Sequence, residues 1–229
     1  MSTFLRWNRA VKMIKIISPS TCVELICLIV AIIFLAKDKS LFWKIAIVYM
    51  AITFSTETIA SIISKVFHHY NVWLYNLYIL VELCFVSFGL YKFLKEYTNP
   101  KPIILVGSGL MLLSYSYDLY SHGITELNTI TINVSAIIFV IYSLYYFLLL
   151  LKDQNFIQLK YHPQFWWVVG VLFYYFGGTV INLFDEVLFD KVSTNNHLRW
   201  YIYVLLNVLL YSFWSYSFIC RARQRRLHL

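Results

Sequence analysis

Residues 41–66 read LFWKIAIVYMAITFSTETIASIISKV, and residues 72–94 read VWLYNLYILVELCFVSFGLYKFL. Both are apolar runs of membrane-spanning length, because crossing the hydrocarbon of a bilayer takes ~20 helical residues at ~1.5 Å rise each. Each run carries one glutamate well inside it, Glu57 in the first and Glu82 in the second. A carboxylate at that depth costs roughly 2.5–3.5 kcal/mol on insertion scales, so it turns inward to a partner or stays neutral. The pair therefore marks both the class of the protein and the place to look for its function.

Five further apolar runs cover residues 20–36, 102–122, 127–151, 164–186 and 198–220. Lipid offers no partners to backbone N–H and C=O groups, so runs this long and continuous are helices. The fold class expected is all-α: a polytopic membrane bundle of seven transmembrane helices over residues 19–220. The first span is the weakest, being short and bearing Glu24 in its opening turn. Residues 1–18, with FLRWNRAVKMIKII at 4–17, read as a basic amphipathic segment lying in the interface. No uninterrupted apolar core of a signal peptide is visible there. Residues 221–229, with RARQRR at 221–226, read as a basic C-terminal tail. Pro100 and Pro102 punctuate the start of the fourth span and Pro163 that of the sixth, where proline suits a first helical turn.

The chain is 60% hydrophobic and 13% charged, against about 25% charged in a soluble domain, which excludes a soluble fold. The net charge of +8 belongs with anionic headgroups rather than nucleic acid, because the cations flank the spans. None of the four cysteines forms a CxxC pair, so no zinc knuckle or disulfide framework is supported. With seven spans, twelve Lys/Arg fall on the side of the C-terminus and seven on the side of the N-terminus. The excess of cations on the cytoplasmic side orients membrane proteins, so the N-terminus is expected outside and the C-terminus inside, in a bacterial-type inner (plasma) membrane.

An offset of 125 residues aligns the third span with the seventh at Tyr78/Tyr203, Ser87/Ser212 and Tyr91/Tyr216, and sets Glu82 against Asn207. That spacing suggests a 3+1+3 parallel repeat, although a chain so rich in Tyr, Phe and Leu also matches itself by chance.

Helical phasing gathers the polar residues into stripes. Thr53, Glu57, Ser61 and Ser64 share one face of the second span, and Tyr75, Tyr78 and Glu82 share one of the third. Asn182 on the sixth span, Tyr203 and Asn207 on the seventh, and Asn133 on the fifth extend the set. Convergence of these stripes would make a tyrosine-walled pocket with Glu57, Glu82 and Asn207 at its floor. Two readings stand beside each other: a ligand, cation or proton site, or protonated carboxyls acting as interhelical glue. A second cluster near the proposed outer ends contains His68, His69, Asp118, His122 and His197, with Asp118 and His122 four apart on one helix face. Histidines with a carboxylate can hold zinc, which would activate water in a membrane lipid hydrolase. No HxxxH or HExxH supports it. Residues 200–220 lack the lysine a retinal protein requires, and no phosphate loop or pair of mid-helix histidines for haem is present. No cofactor is expected.

Asn76-Leu77-Tyr78 followed by Glu82, then His162-Pro163-Gln164-Phe165-Trp166, Gly170, Tyr174, Gly177, Trp200 and Asn207 resemble the pattern of a family of small seven-helix bacterial integral membrane proteins of uncharacterised role. The resemblance covers most of the chain and implies the seven-helix topology and a signalling context, with genes lying beside those of sensor kinases or response regulators. It implies no activity and no site residues. The sequence expectation is thus a ligand-binding or sensing protein coupled to a cytoplasmic signalling partner, with membrane lipids around it and a homo-oligomer allowed. The alternatives are a small-solute, proton or cation transporter or channel, and the metal-dependent hydrolase.

Overall fold

The structure is a computed structural model that describes residues 18–153, 158–183 and 196–227. Among these residues it is all-helical, with seven α-helices: α1 Pro19–Leu35, α2 Leu41–Lys65, α3 Val72–Leu94, α4 Lys101–His122, α5 Thr129–Lys152, α6 Pro163–Leu183 and α7 Asn196–Leu227. Six of them, α2 to α7, are long and apolar enough to cross a membrane, as an integral multi-pass protein requires. At 17 residues α1 is shorter. The amphipathic segment at 4–17 lies outside the described residues. α7 continues through the basic stretch RARQRR as one helix of 32 residues.

The starts are set by local chemistry. Ser18 accepts the Thr21 N–H at 3.1 Å and Pro19 opens α1, a side-chain cap followed by a residue that has no N–H to satisfy. At α6 the neutral ring of His162 accepts the Phe165 N–H at 3.3 Å. Burial holds the His162 ring below its ordinary titration range, which keeps that nitrogen available as an acceptor. Gln164 donates to Glu96 at 3.3 Å. The His-Pro-Gln motif is therefore a helix start rather than a site. Gly123, at φ 72°, ends α4 in the left-handed region, where glycine carries no Cβ penalty.

Each helix packs on its sequence neighbours and α7 closes back on α1, so the seven form a ring; α3 leans inward to touch α5 and α6 as well. Its centre is aromatic. Trp167 of α6 and Trp214 of α7 stack at 5.4 Å and 4°, and the Trp214 indole N–H donates to the Trp167 carbonyl at 3.2 Å. Phe42, Tyr49, Phe85 and Phe93 pack around them, Tyr49 on Phe85 at 3.9 Å. The outside is apolar as well: Leu105, Leu113 and Leu151 are 76%, 68% and 82% exposed, as lipid-facing side chains are.

The closure between α1 and α7 is ionic. Asp38, just past α1, is 0% exposed in its side chain. Its carboxylate accepts from Arg221 Nε at 2.9 Å and from the Ser40 N–H at 2.8 Å, with Arg225 Nη1 at 3.6 Å. Arg225 also donates to the Phe34 carbonyl at 3.1 Å. Burial alone would push the Asp38 carboxyl up, but the Arg221 bond, the Ser40 N–H and the two guanidinium charges outweigh it and hold it below its ordinary value. The 3+1+3 repeat is not confirmed by this geometry.

Two outcomes follow. A Cβ on Gly89 would meet Trp167 at 2.6 Å and Phe42 at 2.9 Å, whereas one on Gly109 would meet nothing within 4 Å. Gly89→Ala should cost about 1–3 kcal/mol by overpacking, and Gly109→Ala should be neutral or gain up to about 1 kcal/mol of helix propensity; thermal unfolding in detergent separates them. The Asp38 clasp is fully present above the unfolded carboxyl's ordinary value of 3.8 and is lost as pH falls through the lower folded value. The stability difference between wild type and Asp38→Asn should therefore be constant near neutrality and shrink only below about pH 4.

Candidate functional site

Glu57 and Glu82 line one cavity, of about 450 Å³, between α2, α3, α5, α6 and α7. Glu57 lies eight residues before the end of α2 at Lys65 and Glu82 ten after the start of α3 at Val72, so they stand about 12 and 15 Å from one end of the bundle. Glu82 thus stands at the middle of the 23-residue α3, and the cavity runs from there toward the end where α2 ends and α3, α5 and α7 begin.

Each carboxylate is held by a tyrosine. Tyr175 of α6 donates to Glu82 Oε1 at 2.6 Å. Tyr75 donates to Glu57 Oε2 at a longer 3.3 Å. Tyr78, Tyr174 and Tyr203 complete the aromatic wall. Beneath them Tyr78 exchanges hydrogen bonds with Tyr49 at 2.8 Å and with Thr53 at 2.9 Å. On the far wall Tyr203 donates to Asn182 at 2.9 Å and Asn182 to Asn133 at 2.7 Å, a chain linking α7, α6 and α5. The arrangement offers acceptor oxygens and ring faces to a guest, and can hold a charge of positive sign better than a negative one.

Of the residues expected here, Glu57, Glu82, Tyr78, Tyr203 and Asn182 line the cavity, and Asn133 stands behind Asn182. Asn207 does not: its amide donates to the Tyr203 carbonyl one turn back on its own helix, at 2.9 Å. Arg199 at the mouth, 5.9 Å from the Tyr203 ring, was not anticipated. Nor was Glu24, which is 3% exposed inside α1, within Coulombic range of Glu57, and whose Oε2 has no hydrogen-bond partner. The signal for Glu24 was the one used for Glu57, an acid inside an apolar run. Gly178 lines the cavity, while Gly177 packs against Leu206 of α7, and α6 is unbroken through both.

Among the described residues no three His, Cys, Asp or Glu side chains come together as metal ligands. Asp118 is 1% exposed because its Oδ2 accepts the Thr131 N–H at 2.8 Å and the Thr131 hydroxyl at 2.7 Å, tying the end of α4 to the first turn of α5. His122 approaches it only to 4.0 Å. His68, at φ 54°, and His69 are exposed on the α2–α3 turn, and the side chain of His197 lies outside the described residues. The neighbouring buried amide, Asn76, is likewise structural: it donates to the carbonyls of Ile124 and Glu126 and accepts the Asn128 N–H, pinning the α4–α5 turn.

No protein-family model matches this chain, and no curated protein or solved structure matches it either. Function is therefore argued from the cavity itself.

Asp118→Ala should destabilise the protein by about 1–2 kcal/mol, the loss of a buried cap, and added zinc should not shift the unfolding temperature of wild type. Differential scanning in detergent with and without zinc reads both.

Proposed function

We propose that this protein is a multi-pass membrane protein that binds a small organic cation, a protonated amine, in the Glu57/Glu82 cavity and passes its occupancy to a separate cytoplasmic partner. The observation that carries this reading is the meeting of two carboxylates from adjacent helices in one tyrosine-walled space. An ammonium group satisfies carboxylate acceptors directly, and tyrosine faces within about 6 Å add cation–π attraction that strengthens on desolvation. A cavity of about 450 Å³ matches small-ligand sites, which run from ≈ 300 to 1,000 Å³. In this reading the cavity faces outward, the basic ends of α1 and α7 face the cytoplasm of a bacterial-type inner membrane, and the partner docks there, in keeping with the positive-inside rule. Loss of Asn207 from the cavity leaves the amine held by Glu57, Glu82, Tyr78, Tyr203 and Asn182.

A second reading is favoured by Glu24. A third buried carboxyl, on α1 and coupled to Glu57, gives a proton or cation somewhere to go beyond the cavity, as a coupled transporter needs.

The test is a thermal-shift and calorimetric panel on the purified protein with putrescine, tetramethylammonium and their uncharged isosteres. The cations should stabilise wild type, the isosteres should not, and Glu82→Gln should weaken binding by about tenfold or more, as loss of a desolvated charge partner does. Equal response to charged and neutral compounds would sink the amine assignment. Uptake of labelled putrescine into proteoliposomes, abolished in Glu57→Gln, would replace sensing by transport.

A further inference from the structure

At the opposite end of the bundle, the junction of α1 and α7 encloses a second cavity, of about 590 Å³. Five cations face it, Lys37, Lys39, Arg221, Arg225 and Arg226, against the single carboxylate of Asp38. That carboxylate is already spent. It is fully enclosed and saturated by Arg221, Arg225 and the Ser40 N–H, so it positions the two guanidinium groups without cancelling the rest. Arg221 is braced further by Gln224 at 3.1 Å and stands 5.9 Å from the Trp43 ring. Arg225 Nη1 is buried, and its nearest acceptor, Asp38, is only an ion-pair contact at 3.6 Å. The donors here are thus preorganised in an arginine fork, with a buried N–H that lacks a hydrogen-bonded oxygen.

We infer that this cavity is a binding site for a phosphate group, supplied by the headgroup of an anionic phospholipid. The walls argue for a lipid over a soluble anion. Ile33 and Phe34 form the apolar side of the cavity, and Ile33 is 67% exposed at the head of an exposed stripe with Ile26 and Ile29 on α1. Those three recur at helical spacing, so they make one continuous apolar track from the basic pocket along the outside of α1. An acyl chain fits that track while its phosphate sits among the cations. The length of α1 points the same way: 17 residues span about 25 Å, less than the ~30 Å of a hydrocarbon core. Cations are costly in hydrocarbon, so a helix this short is matched by local thinning of the bilayer that brings the headgroup layer to its basic end, where a phosphate is at hand.

The site is independent of the amine cavity, and so is its test. Wild type is purified whole from an equimolar mixture of phosphatidylglycerol and phosphatidylcholine, and the lipids retained are counted by native mass spectrometry. The pocket variant is Lys37→Ala/Lys39→Ala/Arg226→Ala, three exposed residues that do not bond Asp38. The charge-matched control is Lys95→Ala/Lys101→Ala/Lys152→Ala, on exposed residues of the same end. Unfolding temperatures confirm that both variants fold. The inference expects wild type and control to retain phosphatidylglycerol over phosphatidylcholine and the pocket variant to lose that preference by about tenfold or more. Equal retention in pocket and control variants would show only a diffusely basic end and overturn it. Inorganic phosphate that displaces the lipid and stabilises wild type as well as the lipid does would reassign the site to a free anion. Binding of neither would leave the cations to an acidic protein surface and end the lipid assignment.

Discussion

A buried carboxylate closes this bundle. Asp38 lies in the short turn after α1 and receives two arginines from the last turns of α7, so the first and last described helices are joined by charge at one end. In the low dielectric of a protein interior such a pair is stabilising only when further hydrogen bonds accompany it; here the Ser40 N–H donates to the Asp38 carboxylate and Arg225 donates to the Phe34 carbonyl. α1 is the helix least able to hold its place by length alone. The clasp fixes it, and it also fixes the axis of α7, whose other end reaches the cavity mouth at Arg199 and Tyr203.

Elsewhere Asn76 and Asp118 follow the rule that lipid imposes, with polar groups answered inside the bundle. Asn76 uses both ends of its amide on the α4–α5 turn, and Asp118 spends one oxygen on two donors of Thr131. The cavity is where that rule relaxes. A carboxylate has room for about four donors, yet Glu57 and Glu82 each receive one tyrosine hydroxyl among the described residues. That spare capacity, around a space large enough for a small molecule, is what the amine reading draws on.

Much of this was legible in the chain because the membrane enforces it. The apolar runs mark the helices to within a few residues, and phasing alone brought Glu57, Glu82, Tyr78, Asn182 and Tyr203 to one side. What escaped was long-range or capping chemistry. Asp118 and His122 share a helix face, but nothing in their spacing announces that Thr131 returns to claim the carboxylate. Asn207 shares the helical face of Tyr203 and was set against Glu82 by an alignment of the chain with itself, but neither phasing nor self-alignment can see that an amide will turn to its own backbone. Glu24 counted only as a weakness of the first span, in whose opening turn it lies. Asp38 sat unnoticed between two lysines, its importance set by Arg221, 183 residues away, and by Arg225 one turn beyond.

α7 has one further consequence. It is a single helix of 32 residues, carrying Tyr203 at one cavity and Arg226 at the other, 23 residues or about 35 Å apart along the axis. With no break between them, it runs as one rod past the stacked Trp167 and Trp214 and carries a wall of each cavity. The Asp38 clasp at one end of that rod therefore also sets where Tyr203 stands at the other.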